Sequence, residues 1–432
     1  MWIKGGVVVD PVRRVVEKRD VIIERGRIKQ IIPWGCFSEN GARLKVINAS
    51  DKVIVPGLVD MHVHLREPGH EYKETIATGS AAGIAGGFTA VACMPNTDPV
   101  NDASSVTEFI LRRAHEANLL KVYPIAAITK GQRGETLTDF GGLRKAGAIG
   151  VSDDGVPVSN SEVMRRAMEY ARYHGLTIIS HCEDLKLSAG GVMHEGPVSA
   201  KLGLKGIPAA SEEIMVQREI SLAKLTGCPV HIAHVSTAGS VALIKRAKEE
   251  GVPVTAETAP HYFSLDHTAV IGYNTNAKMN PPLRSPEDVQ AIKGGLSEDV
   301  IDVIATDHAP HSSLEKDLEF DRAAFGIIGL ETALPLTQAL VREGVLTLPE
   351  AMRKLCYNPA VILGVTGGVL KKGVSADLAI FDPEWDYILK AEDIQSKSQN
   401  SPFIGRRMKG RNILTMMGGK IVWERVAEHS SG

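Results

Sequence analysis

Short apolar runs recur through the middle of the chain, spaced so that a helix fits between most neighbours. They fall at residues 53–59, 88–94, 122–128, 148–152, 176–180, 230–235, 252–258 and 300–306. Most are rich in β-branched residues and bounded by Gly, Pro or polar positions, the signature of strands buried on both faces. Helical stretches such as 162–174 and 211–225 separate them, and Gly86-Gly87 stops a helix just before the second run. Eight parallel-type strands alternating with helices predict an α/β chain closed as a (β/α)8 TIM barrel. A doubly wound open sheet is the runner-up, weakened because no GxGxxG follows the first strand.

The two ends of the chain have a different texture. Residues 6–11 and 21–28 read as short strands between Gly, Pro and Asp, and a similar pattern returns at 375–383 and 417–423. Both termini are therefore expected to build one small β domain, from residues 1–55 and 366–432. Residues 56–365 form the barrel.

Composition narrows the function classes. The chain has 432 residues, 44% hydrophobic and 23% charged, with 49 Lys+Arg against 51 Asp+Glu. A formal charge of -2 gives no electrostatic case for nucleic acid or an anionic membrane. Five scattered cysteines without a CxxC predict reduced thiols and a cytoplasmic setting. Residues 1–5 start no signal peptide, no apolar stretch is long enough to span a bilayer, and residues 428–432 read as a frayed tail.

Candidate chemistry concentrates where the strands end. His62 and His64 are two apart, so on a strand both imidazoles leave the same face, and Arg66 continues the parity. Taken alone, this trio fits a solvated strand end as well as a metal site. Catalytic groups of such barrels, however, sit at the C-terminal strand ends. There the second strand delivers Asn96, the fourth Asp153-Asp154, the fifth His181, the sixth His234 and the eighth Asp307-His308. Each residue has a plain structural reading, a core histidine or, for Asp154, a helix N-cap. Together they suit one or two borderline divalent ions, Zn2+ first, because imidazole and carboxylate are its usual non-thiolate ligands.

These residues sit in motifs that resemble the amidohydrolase superfamily: HxH at His62 and His64, SHCED around His181, HVST after His234 and ATDHAPH around Asp307. More narrowly, HVHLREPG, MPNT, SDDG, NPPLR from Asn280 to Arg284 and FGIIGLET from Phe325 to Thr332 are similar to the class I bacterial dihydroorotases. The resemblance runs from about residue 53 to 364, and more loosely into both flanks. It implies metal ligation by His62, His64, Asp154, His181, His234 and Asp307. It also implies a substrate pocket from Arg66, Asn96, Asn280, His311 and the backbone of Phe325 and Gly326. Many relatives bridge two metals with a carboxylated lysine at the end of the fourth strand; residues 147–155 contain no lysine. An aspartate must take that place, Asp154 by its spacing to His181, with Asp153 as second choice.

The activity so implied is the reversible cyclisation of N-carbamoyl-L-aspartate to L-dihydroorotate, a step of de novo pyrimidine synthesis. Arg66 suits a bidentate grip on the substrate carboxylate, with Asn96 adding hydrogen bonds. A metal-held water, its pKa lowered to about 7, is the expected nucleophile, and Asp307 the general acid/base. Two other readings stay in view: another cyclic amidohydrolase, a hydantoinase or allantoinase, and a non-catalytic partner of aspartate transcarbamoylase. The resemblance also leaves a homodimer and a complex with that transcarbamoylase open. Among the remaining residues, Cys182 reads as a small buried hydrophobe and His231 as structural, pointing off the other strand face. His261 and His267 receive no role. The polar stretch 312–321 is expected to be a mobile flap.

Overall fold

The computed structural model describes residues 1–37 and 44–425; the tail at 428–432 lies outside the described residues. Eight parallel strands form the barrel wall in chain order: Leu58–Val63, Phe88–Cys93, Lys121–Ala126, Gly150–Val151, Thr177–Ser180, Val230–Ile232, Val254–Thr258 and Val303–Ile304. The last meets the first through a parallel bridge between Val63 and His308, where the His64 amide donates to the His308 carbonyl at 2.8 Å. Strand alternation divides the apolar residues into two layers. Leu58, Val91, Val122, Ile178, Ile232 and Val254 pack outward against the helices. Met61, Ala92, Ile125, Ile179, Ala233 and Val303 fill the barrel interior.

Both chain ends share one further sheet. Its order runs Lys420–Glu424, Arg407–Met417, Leu378–Ile388, Val53–Pro56, Trp2–Asp10, Val15–Glu24, Arg27–Pro33, with Val46–Asn48 beside Trp2–Asp10. The N- and C-terminal parts join where Val53–Pro56 pairs antiparallel with residues 378–381. The first apolar run is thus two strands in two sheets, not one. Its hydrophobicity hides the switch because both halves are fully buried. The hinge is Gly57, where a Cβ would lie 2.1 Å from Thr89 Oγ1, so only glycine lets the chain pass from one sheet to the other.

The seam between sheet and barrel is polar and paired. Asn412 and Thr415 donate to the Ile84 carbonyl, and Asn412 also to that of Ala85, satisfying the C-terminal end of helix Ile76–Gly86. Lys121 of the third barrel strand meets Asp377 at 2.8 Å, and that carboxylate also accepts from Ser375 Oγ and the Gly418 amide at 2.7 Å each.

Candidate active site

The strand ends converge on Asp154. It lies 3.4 Å from His62 Nε2, 3.5 Å from His64 Nε2, and 3.6 Å from both His181 Nδ1 and His234 Nε2. Two groups able to hold a cation result, His62–His64–Asp154 and Asp154–His181–His234, all buried and sharing the one carboxylate. Asp307 stands beside the first, 3.2 Å from His64 Nε2 and 3.6 Å from His62 Nε2. Asp153 is elsewhere: it accepts from the Ile128 and Thr129 amides and from Thr129 Oγ1, tying down the loop after the third strand. Of the two aspartates, it is Asp154 that the fold brings to the histidines.

The back of each imidazole is held. His62 Nδ1 meets Glu257 Oε1 at 2.6 Å, His181 Nε2 meets Glu183 Oε2 at 2.9 Å, and His64 Nδ1 meets Asn96 Oδ1 at 2.8 Å. These oxygens only accept, so each ring donates there and turns its other nitrogen toward Asp154. His62 Nε2 is fully buried and makes no hydrogen bond to any described residue. Burial opposes charge throughout, yet Asp154 and Glu257 outweigh it and push His62 well above the usual imidazole range. Against the same burial, His62, His181 and His234 hold Asp154 well below the usual carboxylate range. A pocket of imidazole nitrogens and carboxylates that stabilises positive charge this way fits a divalent metal.

Of the groups that aim these rings, the sequence singled out Asn96 but not Glu257 or Glu183. Glu257 lies next to the end of the seventh strand, where burial is outweighed by His62 and His231, leaving its carboxyl at about 2. His231 is no outward residue: its Nε2 meets Glu257 Oε2 at 3.2 Å inside the barrel. The parity argument failed because His234 lies past the strand end with a φ of 34°, so the three-residue spacing does not carry strand alternation. Asp307 (φ 47°) and Arg66 (φ 62°), also at this rim, have the same left-handed backbone, uncommon for non-glycine residues. Glu183 was visible within SHCED without a role. His261 is buried, its Nε2 unbonded among the described residues, and burial lowers it to about 4 despite Asp307. Cys182 packs in the outer apolar layer.

Above the cluster stand the other residues. Arg66 is buried; its Nε donates to the Pro310 carbonyl at 3.1 Å and one terminal nitrogen lies 3.3 Å from His311 Nε2. Arginine only donates, so His311 accepts through Nε2 and carries its proton on Nδ1. Asn96 links His64 to Asp154 Oδ2, at 3.4 Å. Asn280 donates to Glu183 Oε2 at 2.8 Å. Gly326 (φ 126°) has its amide on the Lys278 carbonyl and its carbonyl under Lys316 and Asn400, so both of its backbone groups are engaged within the protein. The expected flap at 312–321 is anchored: Lys316 turns inward and donates to the carbonyls of Lys278, Ala324 and Gly326. Its polar composition concealed this, because a buried lysine needs only carbonyl partners.

Known proteins of the same length match this chain from end to end. It is 53% identical over 425 residues to a dihydroorotase of Geobacter metallireducens, covering 98% of this chain and all of that one. The chain belongs to the dihydroorotase family. A dihydroorotase of Syntrophobacter fumaroxidans is 54% identical over 422 residues, covering 98% of this chain and 96% of that one. The dihydro-orotase-like family model matches residues 51–240, which carry His62 through His234. The L-hydantoinase (dihydropyrimidinase) of Arthrobacter aurescens superposes with a TM-score of 0.87 at 25% identity, covering 98% of this chain and 96% of that one. The barrel with its accessory sheet is therefore an architecture that dihydroorotase family members share with other cyclic amidohydrolases. Among the described residues no helix is long and apolar enough to cross a membrane.

Proposed function

We propose that this chain is a metal-dependent hydrolase of cyclic amides that interconverts N-carbamoyl-L-aspartate and L-dihydroorotate in pyrimidine synthesis. Its full-length identity to curated dihydroorotases supports the activity. The observation that carries the substrate choice is the buried Arg66 guanidinium at the rim, beside His311 and above His64 and Asp307. A hydantoin or allantoin ring has no carboxylate to meet it.

His62, His64, Asp154, His181, His234 and Asp307 would hold one or two ions, with Zn2+ the best match to imidazole and carboxylate donors. When bound, the metal supplies Lewis acidity and lowers the pKa of water. The protein does the rest. Arg66 and Asn96 grip the substrate carboxylate, while Asn280, His311 and the Phe325–Gly326 turn wall the ring. Since the Gly326 amide is already on Lys278, that residue shapes the turn. Burial raises Asp307, but His64 and His62 outweigh it and hold it low, so it stands ionised as a base. In ring opening it takes the proton from the attacking water and passes it to the leaving ring nitrogen as the C–N bond breaks. In closure Asp307 takes the proton from the attacking nitrogen as the C–N bond forms and, so protonated, gives it to the departing oxygen, which leaves as water with a second proton from solvent. Opening a neutral amide releases a carboxylate and a proton, so higher pH favours opening and lower pH closure.

The catalytic unit is assigned to residues 56–365, with 1–55 and 366–432 forming the small domain. A cytoplasmic setting, a homodimer and a complex with aspartate transcarbamoylase belong to the same reading. Sedimentation with and without the transcarbamoylase measures both assemblies.

The test is dihydroorotate hydrolysis by the purified chain before and after chelation and zinc addition, alongside Arg66→Ala and Asp307→Asn. Zinc-restored turnover, lost in both variants by on the order of a hundredfold or more, is the expected result. Turnover of hydantoin or allantoin in place of dihydroorotate would discard the substrate. No turnover of any of them with metal bound, with or without transcarbamoylase, would discard the enzyme.

A further inference from the structure

Residues 389–406 join two strands of the small sheet, Leu378–Ile388 and Arg407–Met417, yet part of this connection leaves that sheet and crosses the barrel rim. Ser396 Oγ bonds the buried Glu74, and Ser398 Oγ donates to the Lys73 carbonyl at 2.7 Å. Asn400 follows, 4% exposed. Its Nδ2 donates to the carbonyls of Ala309 and Gly326 at 3.0 Å each, its Oδ1 accepts from the His311 amide at 3.1 Å, and its own carbonyl accepts from the Ile328 amide at 3.0 Å.

These four bonds run to the two loops that carry His311 and the Phe325–Gly326 turn. Only a planar side chain with two donors and an acceptor can hold Ala309, Gly326 and His311 at once, which is what an amide offers and a carboxylate or hydroxyl does not. The loops are in close contact at this point: a Cβ on Gly326 would lie 2.7 Å from that of Ala309. A shift of one loop must therefore move the other.

From this convergence we infer that Asn400 is a positioning residue, through which the small domain's chain sets the substrate-facing wall of the active site. The inference rests on the proposed role of His311 and the Phe325–Gly326 turn in meeting the substrate. Asn400 acts through those loops, so its effect belongs to substrate binding and not to metal retention. A misplacement of that wall on the order of 1 Å is enough to weaken its contacts with the substrate.

The experiment is steady-state kinetics in both directions, with zinc content, for Asn400→Ala, Asn400→Asp, His311→Ala and the double variant Asn400→Ala/His311→Ala of the full chain. Asn400→Asp keeps the acceptor for His311 but turns lone pairs onto two carbonyls, and stands in if Asn400→Ala fails to fold; the double variant then carries Asp. KM is expected to rise about tenfold or more in both single Asn400 variants, with kcat within about threefold and zinc unchanged. In the double variant the rise should fall well short of the product of the single effects, because both changes act on one wall. KM within twofold of the parent, fully multiplicative effects, or parallel loss of kcat and zinc would overturn the inference. If His311→Ala leaves KM unchanged, the substrate-wall reading and this inference fall together. If His311→Ala raises KM while the Asn400 variants do not, only the role of Asn400 falls.

Discussion

The floor and the wall of the site are built by different means. On the floor, the groups facing Asp154 stand at or just beyond strand ends, and Glu257 and Asn96, near the ends of other strands, and Glu183, two residues past His181, hold three of the rings from behind. On the wall, Arg66, His311 and Gly326 lie beyond the strands and are held largely by backbone carbonyls, an inward lysine and an amide from the small domain's chain. The floor must aim lone pairs at a small volume, which strand ends do with little freedom. The wall must match a ligand's outline, which loops do, and loops can be re-shaped without disturbing the floor.

The sharpest way to break this contrast is at the residue both candidate metal groups share. Asp154→Ala should empty both groups and lower turnover on the order of a thousandfold, measured as zinc content and hydrolysis rate. Retained zinc with only a KM change would make Asp154 part of the wall. Next come the groups behind the rings. Glu257→Gln and Glu183→Gln should each weaken metal affinity about 10- to 100-fold, read by competition with a chelating dye, while KM at saturating zinc changes little. An effect confined to KM would erase the distinction between floor and wall.

The smallest effect is expected far from both, at the seam. Burial raises the Asp377 carboxyl, but Lys121, the Gly418 amide and Ser375 outweigh it and hold it below its ordinary value of 3.8. A depressed carboxylate adds stability that is present above that value and lost as pH falls through its folded value. Asp377→Asn should therefore cost about 1 kcal/mol near neutrality, a Tm shift of roughly 1–2 °C, with turnover unchanged. Calorimetry across pH should show the difference closing below about pH 3.8. A difference that persists in acid would assign the effect to packing.

How much of this was legible depended on how local each signal is. The eight apolar runs, the alternation with helices and the strand texture at both ends follow from periodicities of two and 3.6, which neighbours along the chain determine. The convergence of His62, His64, His181, His234 and Asp307 followed from strand ends sharing one rim. The choice of Asp154 over Asp153 came instead from the family resemblance, through its spacing to His181, because strand ends alone do not distinguish adjacent residues. His231 and His234 were separated wrongly for a related reason: a positive φ past the strand end breaks the alternation on which the argument stood.

By itself, then, the sequence determined a parallel barrel, a sheet shared by the two ends, and the residue types offered at the rim. These depend on hydrophobic spacing and on motif chemistry, both readable one segment at a time. Only the tertiary structure decided that Glu257 and Glu183 aim the histidines, that the first apolar run changes sheets at Gly57, and that Asn400 reaches Ala309, Gly326 and His311. Most of those are hydrogen bonds or close approaches between residues tens to hundreds of positions apart; the contact of Glu183 with His181 is local but depends on how the chain turns past the strand end. Neither leaves a period in the chain.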